Sequence, residues 1–178
     1  GKKGMKIYRD LFTNDELLSD AYPGTVEYDE VILEVKATRI PVGGGEVDIG
    51  RGNAFGGRDE DEDEGPVDPN VELVLDLVSI FSYTEVPFTK KQFIAVLKGY
   101  MGKVKKWVQD NKPERLEAFQ RGANSFAQQV VGHFDEYQFW VSSESLDNPS
   151  MVILSYYKEG ETVPVFLYFK DGLREEKV

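Results

Sequence analysis

One stretch, residues 88–134, constrains this chain more than any other, because its apolar residues keep a helical period over more than forty positions. Phe93, Leu97, Tyr100, Met101, Val104, Trp107 and Val108 recur at three- and four-residue steps, which places them on one face of a helix. Thr89 stands three residues before Gln92, the spacing of a capping box, in which the hydroxyl accepts from the Gln92 amide and the Gln92 side chain reaches back. Phe88 and Phe93 flank that box as a hydrophobic staple. Proline suits the first turn of a helix and disfavours helix in the residue before it, so Asp110-Asn111-Lys112-Pro113 predicts a tight turn into a second helix. That helix carries Leu116, Phe119, Ala123, Phe126, Ala127, Val130, Val131 and Phe134 on one face. Two amphipathic helices joined by so short a turn lie antiparallel, as a hairpin with a shared apolar seam.

The hairpin is also basic. Residues 89–131 hold nine Lys or Arg against three acids, a balance of +6; the chain as a whole is −11, which leaves −17 for the remainder. A charged run is ordinarily the solvated face of an amphipathic helix. The contrast of sign within one chain also predicts a docking surface for an acidic partner, with Lys98, Lys103, Lys105 and Lys106 as its contacts.

Composition narrows the remaining choices. A length of 178 residues with 40% hydrophobic and 12% aromatic content is enough for one folded unit, expected over residues 5–178. Gly1-Lys2-Lys3-Gly4 ahead of Met5 resembles a vector-derived remnant and is set aside. A pI near 4.6 argues against general nucleic-acid binding, which needs a larger basic footprint than one hairpin. The chain has no cysteine, which excludes disulfides, thiol catalysis and cysteine-ligated zinc and fits a reducing compartment. No apolar run approaches the roughly 18 residues of a spanning helix, and no signal-peptide pattern is visible. A soluble, cytoplasmic protein is expected.

Lys6 to Arg9 alternates polar and apolar residues, a first strand. Thr13 lies three residues ahead of Glu16 with Leu17 and Leu18 behind it, capping-box spacing that predicts a single helical turn. After the Tyr22-Pro23-Gly24 turn, Val26 to Tyr28 and Val31 to Ile40 read as strands. Residues 41–70 differ in kind: glycine-rich, then the unbroken acid run 59–64, then Gly65-Pro66. Low apolar content and like-charge repulsion predict a long mobile acidic loop. Val71 to Val86 is nearly continuously apolar and reads as a strand buried on both faces. Beyond the hairpin, Tyr137 to Val141, Met151 to Tyr157 and Val163 to Phe169 predict an antiparallel meander, followed by a turn and a charged tail, Arg174 to Lys177. The class is α+β: mainly antiparallel sheets with an inserted amphipathic helical hairpin.

No catalytic constellation emerges. His133 is the single histidine and sits where it can bond helix-terminal carbonyls, and no G-x-S-x-G turn nominates a serine. Residues 50–56 miss the dinucleotide-binding glycine pattern by one position, and no P-loop is present. Asp59, Asp61 and Asp63 alternate like the first half of an EF-hand loop, but Glu64 stands where the glycine belongs and Asn70 where the bidentate glutamate belongs. These three aspartates are therefore candidates for weak Ca²⁺ binding only, and no obligatory cofactor is expected.

The run from Met5 to Asp20 resembles the N-terminus of the translationally controlled tumour protein family. So do Tyr100-Met101, Lys112-Pro113-Glu114-Arg115, Tyr137-Gln138-Phe139-Trp140 and Phe169-Lys170-Asp171-Gly172-Leu173, in the same order and spacing. The family's first signature is represented by Ile49-Gly50-Arg51-Gly52-Asn53-Ala54 with one extra residue, and its second has Ser143-Glu144 in place of Gly-Glu. The resemblance implies a β-tent with a projecting helical hairpin, similar to a zinc-binding chaperone of Rab GTPases though without its zinc-holding cysteines. It implies a cytoplasmic, non-enzymatic, multifunctional protein in growth and survival regulation, also secreted without a signal peptide, that binds Ca²⁺, microtubules and small GTPases of the Ras/Rab type. Glu16 matches the family's acidic GTPase contact; its alternative role is the capping-box partner of Thr13. Tubulin is the acidic partner expected for the hairpin lysines, and a monomer is expected.

Overall fold

The computed structural model describes residues 5–42 and 71–178. The hairpin forms as its spacing predicts. Helix α2 spans Lys90–Asn111, a short 3-10 turn Pro113–Arg115 follows with proline in its first position, and α3 spans Leu116–Gly132. Thr89 caps α2 with both arms of the box: its hydroxyl accepts from the Gln92 amide at 3.1 Å and its own amide donates to the Gln92 side chain at 3.0 Å. The Phe88 and Phe93 rings meet across that cap, 6.3 Å between centroids.

The strands are β1 (Lys6–Asp10), β2 (Glu16–Ser19), β3 (Gly24–Glu27), β4 (Ile32–Lys36), β5 (Arg39–Pro41), β6 (Leu73–Leu75), β7 (Tyr83–Glu85), β8 (Gln138–Ser142), β9 (Ile153–Tyr156), β10 (Val165–Phe169) and β11 (Leu173–Lys177), with a short helix α1 (Asp76–Phe81) before β7. Among the described residues they pair antiparallel, in a six-stranded sheet of order β3-β4-β10-β9-β8-β7, a three-stranded sheet β11-β1-β2 and a ribbon β5-β6. The hairpin is inserted between β7 and β8, which are neighbours in the large sheet, so helices leave and return at one edge.

The hairpin does not stand away from the sheet. Its apolar face lies along it: Phe93 against Phe139 (4.7 Å between ring centroids), Tyr100 and Phe126 against Phe169 (5.3 and 5.5 Å). Phe93, Val104, Val108, Phe119, Ala123, Phe126 and Val130 are buried there, each large side chain contributing about 1.5–3 kcal/mol of apolar transfer. Helix α3 approaches so closely that a Cβ on Gly122 would lie 2.0 Å from the Tyr28 carbonyl oxygen. Tyr28, Asp29 and Glu30, linking β3 to β4, all have left-handed φ (55°, 57° and 65°), a conformation that costs non-glycine residues about 1–2 kcal/mol each. The Tyr28 ring rests edge-on against Phe126, and the Arg121 guanidinium bonds both oxygens of Asp29.

Several expectations need correction. The helical turn expected from Thr13 onward does not form: the chain turns earlier, through Leu11 to Thr13, where the Asn14 amide donates to the Asp10 carbonyl at 2.8 Å and the Asp10 carboxylate collects the Phe12 and Thr13 amides, and Glu16 enters β2. Val71 to Val86 is not one strand. Asp76 accepts from the Thr38 and Leu77 amides and the Thr38 hydroxyl, which turns the chain into α1 between two short strands. Val31 to Ile40 divides into β4 and β5. The charged tail is strand β11, whose Glu176 pairs with Arg9 at 2.5 Å across from β1. The loop and first signature, placed at residues 41–70, lie outside the described residues from position 43 onward.

Candidate partner-binding surface

Glu16 is presented by a short, tightly organised turn. The buried Asp10 carboxylate accepts from the amides of Phe12 (2.8 Å) and Thr13 (3.3 Å) with one oxygen and from the Met151 amide (3.1 Å) with the other, so the β1–β2 connection is fixed to the loop before β9. Asn14 takes the left-handed conformation that closes the turn. Register then shifts between Tyr8 and Arg9, because Leu17 is an extra residue in β2. This bulge lets consecutive leucines, Leu17 and Leu18, both point inward and places Glu16 opposite Arg9.

The bulge leaves the Leu17 carbonyl off the strand ladder. The buried Tyr83 hydroxyl donates to it at 2.6 Å and is itself 2.6 Å from the Tyr168 hydroxyl. Since the Tyr83 proton is committed to Leu17, Tyr168 donates to the Tyr83 oxygen. Burial pushes both phenols well up from their ordinary range, so the relay stays protonated and neutral.

Glu16 itself is half-buried on its strand, and among the described residues its carboxylate makes no hydrogen bond and no ion pair within 4.0 Å. The capping role is excluded, since the Thr13 hydroxyl accepts from the Asp15 amide at 3.3 Å instead. Against the β1–β2 turn lies an open cleft of about 540 Å³ formed by Thr13 and residues 143–148. Ser143, the departure from the second signature, bonds the Thr84 hydroxyl at 2.6 Å, while Ser145 donates to the buried Asp15 carboxylate at 2.5 Å and ties this loop to the β1–β2 turn. The negative charges of Glu16 and Glu144 both act on the Arg9 guanidinium, whose direct partner is Glu176.

The four candidate lysines are all exposed on α2 but do not share one face. Lys98 and Lys105 flank the groove between α2 and α3, beside Met101 and Gln120. Lys103 lies over the Phe12 ring at 4.4 Å, on the opposite flank, and Lys106 pairs with Asp110 at 3.4 Å. Asp59, Asp61 and Asp63 lie outside the described residues. Among the described residues no group of three or more His, Asp or Glu side chains converges as a metal site. His133 Nδ1 bonds the Gln129 carbonyl at 3.0 Å and closes α3, as its position at the helix end predicts.

Sequence reasoning missed the contacts that seat the hairpin turn. Arg115 forks onto both oxygens of Asp171 (3.0 and 2.6 Å) and donates to the Asp29 carbonyl (2.9 Å). Each residue lies inside a motif already singled out, residues 112–115 and 169–173, but nothing in either motif says that the two touch. Gly172 beside Asp171 has the same logic, since a Cβ there would meet the Tyr100 hydroxyl at 1.9 Å.

Antiparallel sheets carrying a docked helical hairpin, with shallow surface clefts, define an α+β protein. The chain belongs to the translationally controlled tumour protein family, whose profile matches residues 5–174. It is 38% identical over 174 residues to the translationally controlled tumour protein homologue of Saccharomyces cerevisiae, covering 98% of this chain and all of that one, and 39% identical to that of Yarrowia lipolytica with the same coverage. Among solved structures it is similar to the translationally controlled tumour-associated protein p23fyp of Schizosaccharomyces pombe (32% identity, TM-score 0.75, 97% of this chain and 99% of that one) and to the Caenorhabditis elegans protein (25%, 0.66, 97% and 98%). Among the described residues no helix is long and apolar enough to cross a membrane.

Proposed function

We propose that this chain is a non-enzymatic cytoplasmic interaction protein that engages a small GTPase of the Ras/Rab type in growth and survival regulation, with Glu16 as a contact. The observation that supports this is the carboxylate of Glu16, held at a defined strand position by the Leu17 bulge and the Asp10 turn yet given no structural partner among the described residues. A carboxylate so placed is preorganised for an arginine or lysine of a partner and adds little to the stability of its own fold. The test is Glu16→Val. GTPase affinity falls about tenfold or more while the unfolding midpoint stays within the range of a surface change; unchanged affinity removes Glu16 from the interface.

Weak Ca²⁺ binding through Asp59, Asp61 and Asp63 belongs to the same proposal. Amide shifts on Ca²⁺ titration should vanish when residues 59–64 are deleted, and shifts confined to the sheets would place the ion elsewhere. The second reading, microtubule binding through the basic hairpin, draws support from the exposure of Lys98 and Lys105 on one flank of α2. Reversal of these two to Glu should weaken co-sedimentation with tubulin more than reversal of Lys103 and Lys106, which lie elsewhere on the helix.

A further inference from the structure

Where the turn end of α2 meets the three-stranded sheet, a cleft of about 450 Å³ opens that no reading above uses. Its walls are apolar and aromatic: Leu33 from β4, Leu173 from β11, the Tyr8 ring from β1 and the half-buried Trp107 ring from α2. Its charges are cationic. Lys112, which follows α2, and Lys170, which follows β10, line it, and the Lys112 ammonium lies 5.9 Å from the centre of the Trp107 ring, whereas the Arg174 side chain alternates to the other face of β11 from Leu173 and Glu175, beside Arg9. The one carboxylate in the lining, Glu175, already faces Lys6 at 3.6 Å. Among the described residues neither Lys112 nor Lys170 has an ion-pair partner, and the Arg174 guanidinium bonds the neutral Asn14 side chain.

We propose that this cleft binds a small aromatic phosphate of nucleoside monophosphate size, its ring against Trp107 and its phosphate between Lys112 and Lys170. Three considerations select that class. The volume lies within the range of about 300–1,000 Å³ typical of small-molecule sites, too small for a folded partner. A flat indole with a cation at its edge suits a planar ring that carries an anion, because stacking and charge pairing are then satisfied together. Two lysines from separate elements, neither ion-paired among the described residues, suit a phosphate, and the Glu175 carboxylate in the lining is already engaged by Lys6. This proposal is independent of the GTPase reading.

The experiment is titration of the isotopically labelled full chain with AMP at low salt, followed by amide and indole resonances, with adenosine and inorganic phosphate as separate arms. AMP is expected to move the Trp107 indole and the amides of Lys112 and residues 170–175, and to bind about tenfold or more tighter than either half alone. Lys112→Gln combined with Lys170→Gln, both exposed side chains, should weaken AMP about tenfold without moving the unfolding midpoint, and Trp107→Phe should keep part of the affinity that Trp107→Ala loses. The proposal is overturned if adenosine binds as tightly as AMP, if the double variant keeps full affinity, if the shifts map outside the cleft, or if none occurs at about 10 mM AMP.

Discussion

At the open end of the hairpin, where α2 begins and α3 finishes, the helices meet the sheet through rings: Phe88, Phe93 and Phe134 crowd around Phe139, with centroids 4.7–5.8 Å from it. At the turn end, some twenty residues away, the contacts are guanidinium to carboxylate: Arg115 on Asp171 and Arg121 on Asp29. Apolar contact tolerates changes of pH and salt but needs close-packed volume, whereas charge pairing is directional and responds to both. The contrast predicts a division of labour, in which the ring end carries more of the stability and the ionic end, over the buried Val104, Val108 and Phe119, sets where the turn lies.

The comparison predicts a ranked series. Phe93→Ala, at a fully buried position, should cost about 3–5 kcal/mol in denaturant unfolding, equally at low and high salt. A cost below that of the ionic-end variants would reverse the assignment. Gly122→Ala should cost about 1–3 kcal/mol, because the new methyl meets the Tyr28 backbone, which cannot yield as a side chain would, as well as the Val31 Cγ2 methyl. Arg115→Ala leaves the Asp171 carboxylate, only 8% exposed, without its partner; a loss of about 1–3 kcal/mol is expected, discounted because Arg115 itself is 24% exposed. Thr89→Ala removes one arm of the capping box and should cost about 1 kcal/mol with no salt dependence.

The smallest effect concerns acid. The hydrogen bond from Arg121 holds the Asp29 carboxyl below its ordinary value. With the folded pKa below the unfolded one, this contribution is present above the unfolded value near 4 and is lost as pH falls through the lower folded value. Hydrogen exchange at residues 28–31, measured relative to the intrinsic amide rate at each pH, should therefore quicken first on acidification, and Arg121→Ala should abolish that selective response. Equal quickening around Phe93 would show that the two ends do not differ in kind.

The hairpin and the C-terminal meander were legible because both rest on apolar periodicity and cap chemistry, which are local properties of the chain. The β1–β2 turn was not: Thr13 and Glu16 stand at capping-box spacing, but the buried carboxylate of Asp10 outcompetes the Thr13 hydroxyl for the turn amides and the extended alternative wins. Val71 to Val86 failed in the same way, because Asp76 spends its oxygens on Thr38, thirty-eight positions earlier. The charge of β11 concealed a strand whose partners lie at the other end of the chain. Glu16 was identified by resemblance, and its freedom from structural duty needed the fold. The cleft at Trp107 assembles Tyr8, Leu33, Lys112 and Lys170 from distant positions, so no local signal announces it.

The three left-handed residues at 28–30 bear on the order in which the molecule assembles. A two-stranded ribbon joined by such a turn starts several kcal/mol uphill, so β3 and β4 cannot nucleate as an isolated unit. The contacts that offset the strain, Arg121 on Asp29 and Phe126 against Tyr28, come from α3, nearly a hundred positions later in the chain. The expected order is therefore that the outer edge of the large sheet closes after the hairpin has seated. Substitutions at Val26 and Arg121 should then accelerate unfolding and leave the folding rate almost unchanged, a kinetic signature that no equilibrium measurement on the same variants would reveal.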